Sequence, residues 1–247
     1  MLCTPLPIVS TPGPAARLAL AGVWRASELA VSRSTTCPTG HAALDAELPN
    51  GGWPRSALLE LLIQQSGIGE MQLLRPALAQ LSKRQRIALV HPPYVPQAMA
   101  CKAWGMDTAS LLWIKTATSA DALWTAEQIL KNGSCGAVIL WDHHVRAESL
   151  RRLNLAAQST DTWVWLIRPL SCGADASPSP LRIGLRPALG GISVDILKRR
   201  GPHCDAPLFI PLPDMPAGQQ LLDQEHAPIV DHPPALASAR STAPALV

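Results

Sequence analysis

A chain of 247 residues, 47% hydrophobic and 16% charged, is long enough for one α/β domain with its own core plus appended segments. Its formal charge of +3 is too small to argue for nucleic-acid binding by bulk electrostatics, so any such contact has to come from a local cluster. The six cysteines (Cys3, Cys37, Cys101, Cys135, Cys172, Cys204) stand singly, without a Cys-x-x-Cys pair or zinc-ligand spacing; no apolar run approaches the roughly 18 residues of a membrane span, and no leader pattern opens the chain. These features lead to the expectation of a cytoplasmic protein with reduced thiols and no membrane segment.

Residues 1–34 begin Pro-rich and then offer a short helix-like piece, Val23–Ala30, read as an N-terminal arm that docks through Trp24 and Leu29. A core domain is expected over 35–200. It opens with Thr39-Gly-His-Ala-Ala-Leu-Asp45 and Gly51-Gly-Trp-Pro54, after which Ala57 to Ile63, broken only by Glu60, has the composition of a strand buried on both faces. The loop Gln64-Gln-Ser-Gly-Ile-Gly-Glu-Met71 follows, and Met71, Leu74, Leu78 and Leu81 then recur at helical spacing from about Glu70. Pro76 conflicts with that helix unless it kinks or begins later.

Arg86 to Val90 is a second strand, stopped by His91-Pro-Pro-Tyr-Val-Pro96. A helix then runs to Trp104, where Gly105 takes the left-handed cap position, and Leu111 to Ile114 is a third strand. Ser119 is the expected N-cap of a helix carrying Leu123, Ala126, Ile129 and Leu130, ended by Gly133. Ala137 to Trp141 is the clearest buried strand and puts Asp142 at its C-terminal end. A helix over Glu148–Gln158 and a strand over Thr162–Ile167 complete an alternation that predicts a doubly wound, mainly parallel sheet flanked by helices.

Leu181 to Arg186 and Ile192 to Leu197 are read as an antiparallel pair added at one edge of the sheet. From Gly201 to Val247 Pro and Ala dominate and periodicity is lost, so a largely disordered tail is expected. Among the eight tryptophans, Trp113, Trp141, Trp163 and Trp165 lie in or beside strand-like runs and are assigned to packing.

A strand, a glycine loop and a helix are the architecture that presents backbone N–H groups to a phosphate. A working phosphate loop also needs a lysine for the β/γ-phosphates and a Ser or Thr hydroxyl for magnesium. With Gly69 as the last loop glycine, Glu70 stands at the lysine position and Met71 at the hydroxyl position. A match counted from Gly51 puts Gly69 and Glu70 there instead, and neither register supplies a cation. A carboxylate facing a triphosphate repels it, by on the order of several kcal/mol at close range in a partly dry site.

The Thr39–Asp45 and Gly51–Pro54 segments, the glycine loop, Ala100-Cys-Lys-Ala-Trp-Gly-Met-Asp107 and the strand ending at Asp142 resemble the core of RecA over roughly 35–200. More closely, Val23–Ala30, Gly51–Pro54, Gly67–Glu70, Arg75–Leu78, Ala122–Gln128, Leu150–Leu155 and Ile196–Gly201 together resemble the ImuA family, the RecA-like and SulA-like proteins of bacterial mutasome operons. The resemblance implies an SOS-inducible accessory factor of error-prone translesion DNA synthesis, acting with an ImuB-like Y-family-like protein, RecA and an error-prone replicative-type polymerase. Against the RecA pattern, the catalytic glutamate after the second strand is replaced by His91-Pro92-Pro93. No cofactor, metal or catalytic residue is therefore expected. Ser66, Gly67, Gly69 and Glu70 are read as a degenerate nucleotide loop and Asp142 as a vestigial strand-end acid.

His143 and His144 are adjacent and point apart, which disfavours chelation of one ion. Of three basic groups, Lys83/Arg84/Arg86 and Arg146/Arg151/Arg152 are read as solvated surface. Lys198, Arg199 and Arg200, expected to project together, are the candidates for contact with nucleic-acid phosphates or an acidic partner surface, as part of weak DNA binding or of a protein contact. Two rival functions stand beside the adaptor: a SulA-like division inhibitor that binds the tubulin-like division protein, and an active RecA-type ATPase with an aberrant loop.

Overall fold

Residues 36–201, 204 and 206–212 are described by a computed structural model. The arm expected over 1–34, with Trp24 and Leu29, and the tail beyond Leu212 lie outside the described residues. In chain order the elements are β1 (Thr36–Cys37), α1 (Ala42–Glu47), β2 (Trp53–Pro54), β3 (Ala57–Ile63), α2 (Glu70–Ser82), β4 (Ile87–Val90), α3 (Ala98–Ala103) and β5 (Leu111–Ile114). They continue with α4 (Ser119–Asn132), β6 (Ala137–Trp141), α5 (Ala147–Gln158), β7 (Trp163–Pro169), β8 (Leu181–Ala188), β9 (Gly191–Lys198) and β10 (Leu208–Pro211).

Eight strands form one sheet in the order β10-β9-β8-β3-β7-β6-β4-β5. From β8 to β5 every pair is parallel, whereas β9 runs antiparallel to β8 and β10 antiparallel to β9. β1 and β2 make a separate antiparallel pair. Every residue of β3 and β6 is buried, as apolar runs without alternation require when helices cover both faces. On one face Leu59, Leu61 and Ile63 pack with Leu73, Leu74 and Leu78 of α2; on the other Leu58 packs with Ala126 and Leu130 of α4 and Leu150 and Leu153 of α5.

Pro76 lies inside α2 without breaking it. Its ring is accommodated by Gly40, whose φ of +85° and missing side chain leave the space: a Cβ there would come within 2.7 Å of Pro76 Cγ. The Thr39–Asp45 segment is thereby folded onto α2. Asp45 Oδ1 accepts the Thr39 N–H at 2.7 Å, His41 Nε2 meets the Leu73 carbonyl at 3.1 Å, and Leu44 is fully buried.

Three expectations need adjustment. The Pro/Ala-rich region after Gly201 is not structureless throughout, because Leu208–Pro211 pairs with β9, burying Ile210 and leaving Phe209 about half exposed. Proline at the outermost strand costs no ladder hydrogen bond on the solvent side, which is why a Pro-flanked segment can still be a strand. Thr118 rather than Ser119 caps α4, accepting the Asp121 N–H. Trp113 on edge strand β5 is 49% exposed, unlike the buried Trp141, Trp163 and Trp165.

Candidate functional site

The loop between β3 and α2 lies at the C-terminal edge of the parallel strands, where α/β sheets place their ligands. Gly67 and Gly69 both have left-handed φ, +87° and +117°, and Gly69 is the N-cap of α2. This conformation turns their amides toward one point, the arrangement that receives a phosphate. Here that point is occupied by the chain itself. Glu70 is buried, and its Oε1 accepts the Gly67 N–H at 2.9 Å, while Oε2 accepts Gly67 N–H at 3.2 Å and Gly69 N–H at 3.2 Å. An internal carboxylate at the positive end of α2 satisfies both the loop amides and the helix dipole. Ser66 makes no side-chain hydrogen bond among the described residues.

The other residues singled out in the sequence follow β4 and β6. Asp142, at the end of β6, is held by the Ser119 hydroxyl on Oδ2 and by the His144 N–H on Oδ1 at 3.1 Å. Its oxygens are thus engaged by a side chain and a backbone turn. His91 follows β4 with φ +53°, and its Nδ1 lies 2.9 Å from Thr116 Oγ1, which ties the imidazole to a neighbouring loop. The rings of His143 and His144 are 6.4 Å apart and inclined by 76°. Among the described residues no group of three or more His, Cys, Asp and Glu is placed to hold a metal ion.

A cleft of about 270 Å³ opens beside the loop, between Gly67–Gln72, the Pro92–Gln97 segment and α3. Tyr94, Trp104 and Trp141 line it, and Glu70 is its one charged lining residue among those described. Trp141 Nε1 and Gln72 Oε1 are buried there without partners. Burial raises the Cys101 thiol above its ordinary value, so it is a poor nucleophile at neutral pH. Trp141, whose indole donor is orphaned here, was assigned to packing from the sequence, and Tyr94 and Trp104 were given no role there.

Lys198, Arg199 and Arg200 do not all share one patch. Lys198 donates to the Ser177 carbonyl at 2.8 Å; Arg199 is anchored on Glu47, donating to its carbonyl and to Oε2 at 2.8 Å. Arg200 is exposed and forms no hydrogen bond or ion pair among the described residues. β9 ends at Lys198, and Arg199 and Arg200 beyond it line one cleft that Lys198 does not join. Of the other basic groups, Arg152 pairs with Glu127, which also holds Lys131 at 2.8 Å.

One cluster was not anticipated. Glu60, fully buried at the centre of β3, faces Arg168 Nη1 at 3.4 Å and Arg182 Nε at 3.3 Å and accepts the Ser177 hydroxyl. Arg182 also donates to the carbonyls of Cys172, Gly173 and Asp175, so the 170–178 segment is fastened across β3, β7 and β8. The lone acid in an apolar strand was its only sequence signal.

No family model matches the chain. It is 29% identical over 119 residues to the RecA protein of Lactobacillus acidophilus, covering 48% of this chain and 32% of that protein. Against RecA of Acholeplasma laidlawii the identity is 30% over 104 residues, covering 42% of this chain and 31% of the relative. The chain thus spans about a third of the length of the curated relatives it matches. Among solved structures, SulA from Pseudomonas aeruginosa superposes with a TM-score of 0.40 at 24% identity, covering 47% of this chain and 99% of that one. No helix of the described residues is long and apolar enough to cross a membrane. The mainly parallel sheet with flanking helices is a RecA-like α/β fold, and the sequence similarity to RecA extends over about half of the chain.

Proposed function

We propose that this chain is a non-catalytic, RecA-like accessory factor of error-prone translesion DNA synthesis that works through protein contacts. The observation that carries the reading is the Glu70 carboxylate lodged on the Gly67 and Gly69 amides. A polyphosphate entering that loop would have to displace an internal anion while meeting no lysine or arginine among the described residues of the adjoining cleft. RecA similarity supports a place in DNA repair. The motif set from Val23 to Gly201, which resembles the ImuA family, supports the finer role with an ImuB-like protein, RecA and an error-prone polymerase as partners.

Two measurements test it. Trp104 and Trp141 line the cleft, so their fluorescence reports on occupancy: titration with Mg-ATP is expected to leave it unchanged at millimolar nucleotide. Micromolar, magnesium-dependent binding would overturn the non-catalytic part and favour an ATPase. Pull-down with the ImuB-like protein, together with loss of damage-induced mutagenesis on gene deletion, is expected for the adaptor role. Absence of both, with filamentation on overexpression, would instead favour a SulA-like division inhibitor.

A further inference from the structure

A second concavity, of about 220 Å³, opens at the opposite end of β3 from the glycine loop. The seven residues of β3 put the two about 20 Å apart. Its floor is apolar, built from Pro54, Ala57, Pro180 and Leu181, and three guanidinium groups line it, those of Arg55, Arg199 and Arg200.

Each arginine is in a different electrostatic condition. Arg199 is fixed by Glu47. Arg55 stacks on Trp163, its Cζ 4.6 Å from the ring centroid, and bridges to Asp161 with one terminal nitrogen, while its Nε is buried with no acceptor. Arg200 is exposed and unpaired among the described residues. Arg55 and Arg199 are each paired with a carboxylate outside the described lining, so what the lining offers an anion is the Arg200 guanidinium and the spare Arg55 Nε–H. A buried N–H without a partner is costly, and an incoming anion relieves it.

Backbone strain accumulates at the same place. Three non-glycine residues among those described have left-handed φ, and two of them, Asn50 at +60° and Ser56 at +55°, line this cleft. Strain of this kind persists where the surroundings over-determine it, and it concentrates at binding sites.

The lining discriminates between anionic ligands. Among the described residues no aromatic ring lines the cleft, and Trp163 beneath Arg55 is 2% exposed, so they give bases no stacking platform. A prolyl and aliphatic floor beside guanidinium groups instead matches an aliphatic side chain next to a carboxylate. We propose that this cleft docks an acidic peptide segment of a partner protein, an aliphatic side chain resting on Pro54, Ala57 and Leu181 and the adjacent carboxylate pairing with Arg200 and Arg55 Nε. It gives the proposed adaptor role a contact surface and rests on that role only for its biological use.

Fluorescence anisotropy on the full chain tests the proposal. One probe is a fluorescein-labelled peptide of alternating leucine and aspartate; the others are the same peptide with asparagine for aspartate, and a labelled oligothymidine. The acidic peptide is expected to bind, with the asparagine version and Arg200→Ala each weakening binding by about tenfold. Arg200→Lys should recover part of the loss, because it keeps the charge and loses the bidentate geometry. Arg200 is exposed and unpaired among the described residues, so these variants are expected to keep the fold, which thermal melting checks. No binding of the acidic peptide, equal binding of both peptides, an unaffected Arg200→Ala, or Arg200-dependent binding of oligothymidine alone would each overturn the proposal. If the peptide fails while the ImuB-like partner is still captured, the adaptor role stands and the cleft assignment falls.

Discussion

Replacing Glu70 by alanine separates the two roles of its carboxylate, holding the loop and excluding other anions. The Gly69 amide is buried, so loss of its charged acceptor costs about 2 kcal/mol. Gly67 is exposed and its N–H returns to water, at a cost of about 0.5 kcal/mol. Removing a negative charge from the first turn of α2 adds about 0.5 kcal/mol. The sum is about 3 kcal/mol, which for a domain of this size lowers the melting temperature by about 6–12 °C. Glu70→Gln keeps one acceptor oxygen and should lose about half as much. Differential scanning calorimetry reads both. Millimolar orthophosphate is then expected to restabilise Glu70→Ala, whose loop amides are open, and not the parent, since a ligand that binds only the native state raises its stability. A Glu70→Ala protein within about 0.5 kcal/mol of the parent, or a parent that responds to phosphate equally, would refute the view that the carboxylate fills the loop.

Three other substitutions probe separate parts of the molecule. Gly40→Ala places a Cβ 2.3 Å from Pro76 Cβ at a left-handed φ and should cost about 2–4 kcal/mol by urea unfolding; Pro76→Ala in the same chain keeps that Cβ and should recover only the smaller part due to Cγ. Glu60→Leu leaves the Arg168 and Arg182 guanidinium groups buried without their carboxylate and should cost about 3–5 kcal/mol; a neutral effect would show that Asp175 and the backbone carbonyls suffice. The hydrogen bond from Lys131, with Arg152 beside it, holds the Glu127 carboxyl below its ordinary value of 4.5. Because the folded value is the lower one, its stabilisation is present at neutral pH and is lost as pH falls through and below the usual carboxylate range. Glu127→Gln should therefore flatten the acid limb of stability against pH and leave a plateau above it.

The parallel strands were legible because β3 and β6 are buried on both faces and so read as unbroken apolar runs. The start of α2 was legible from its spacing, and the absence of a loop lysine from the residues alone. Where the Glu70 carboxylate points was not, since a sequence gives a side chain's identity and not its rotamer. The partners of Glu60 lie 108 and 122 positions away, beyond any local pattern. β10 was hidden by its prolines and by a length of four residues, too short for alternation to show.

The fastening of residues 170–178 to Glu60 bears on how the protein can be labelled. By position this segment looks like an ordinary connection between β7 and β8, the kind of place where a tag or fluorophore is usually inserted. Arg182 and Ser177 make it part of the interior instead, so an insertion between Gly173 and Ser177 would unfasten a central strand and report on a damaged molecule. The turn at Leu189–Gly190, where Leu189 is 77% exposed and a Cβ on Gly190 would meet no atom within 4 Å, is the better place to carry a probe.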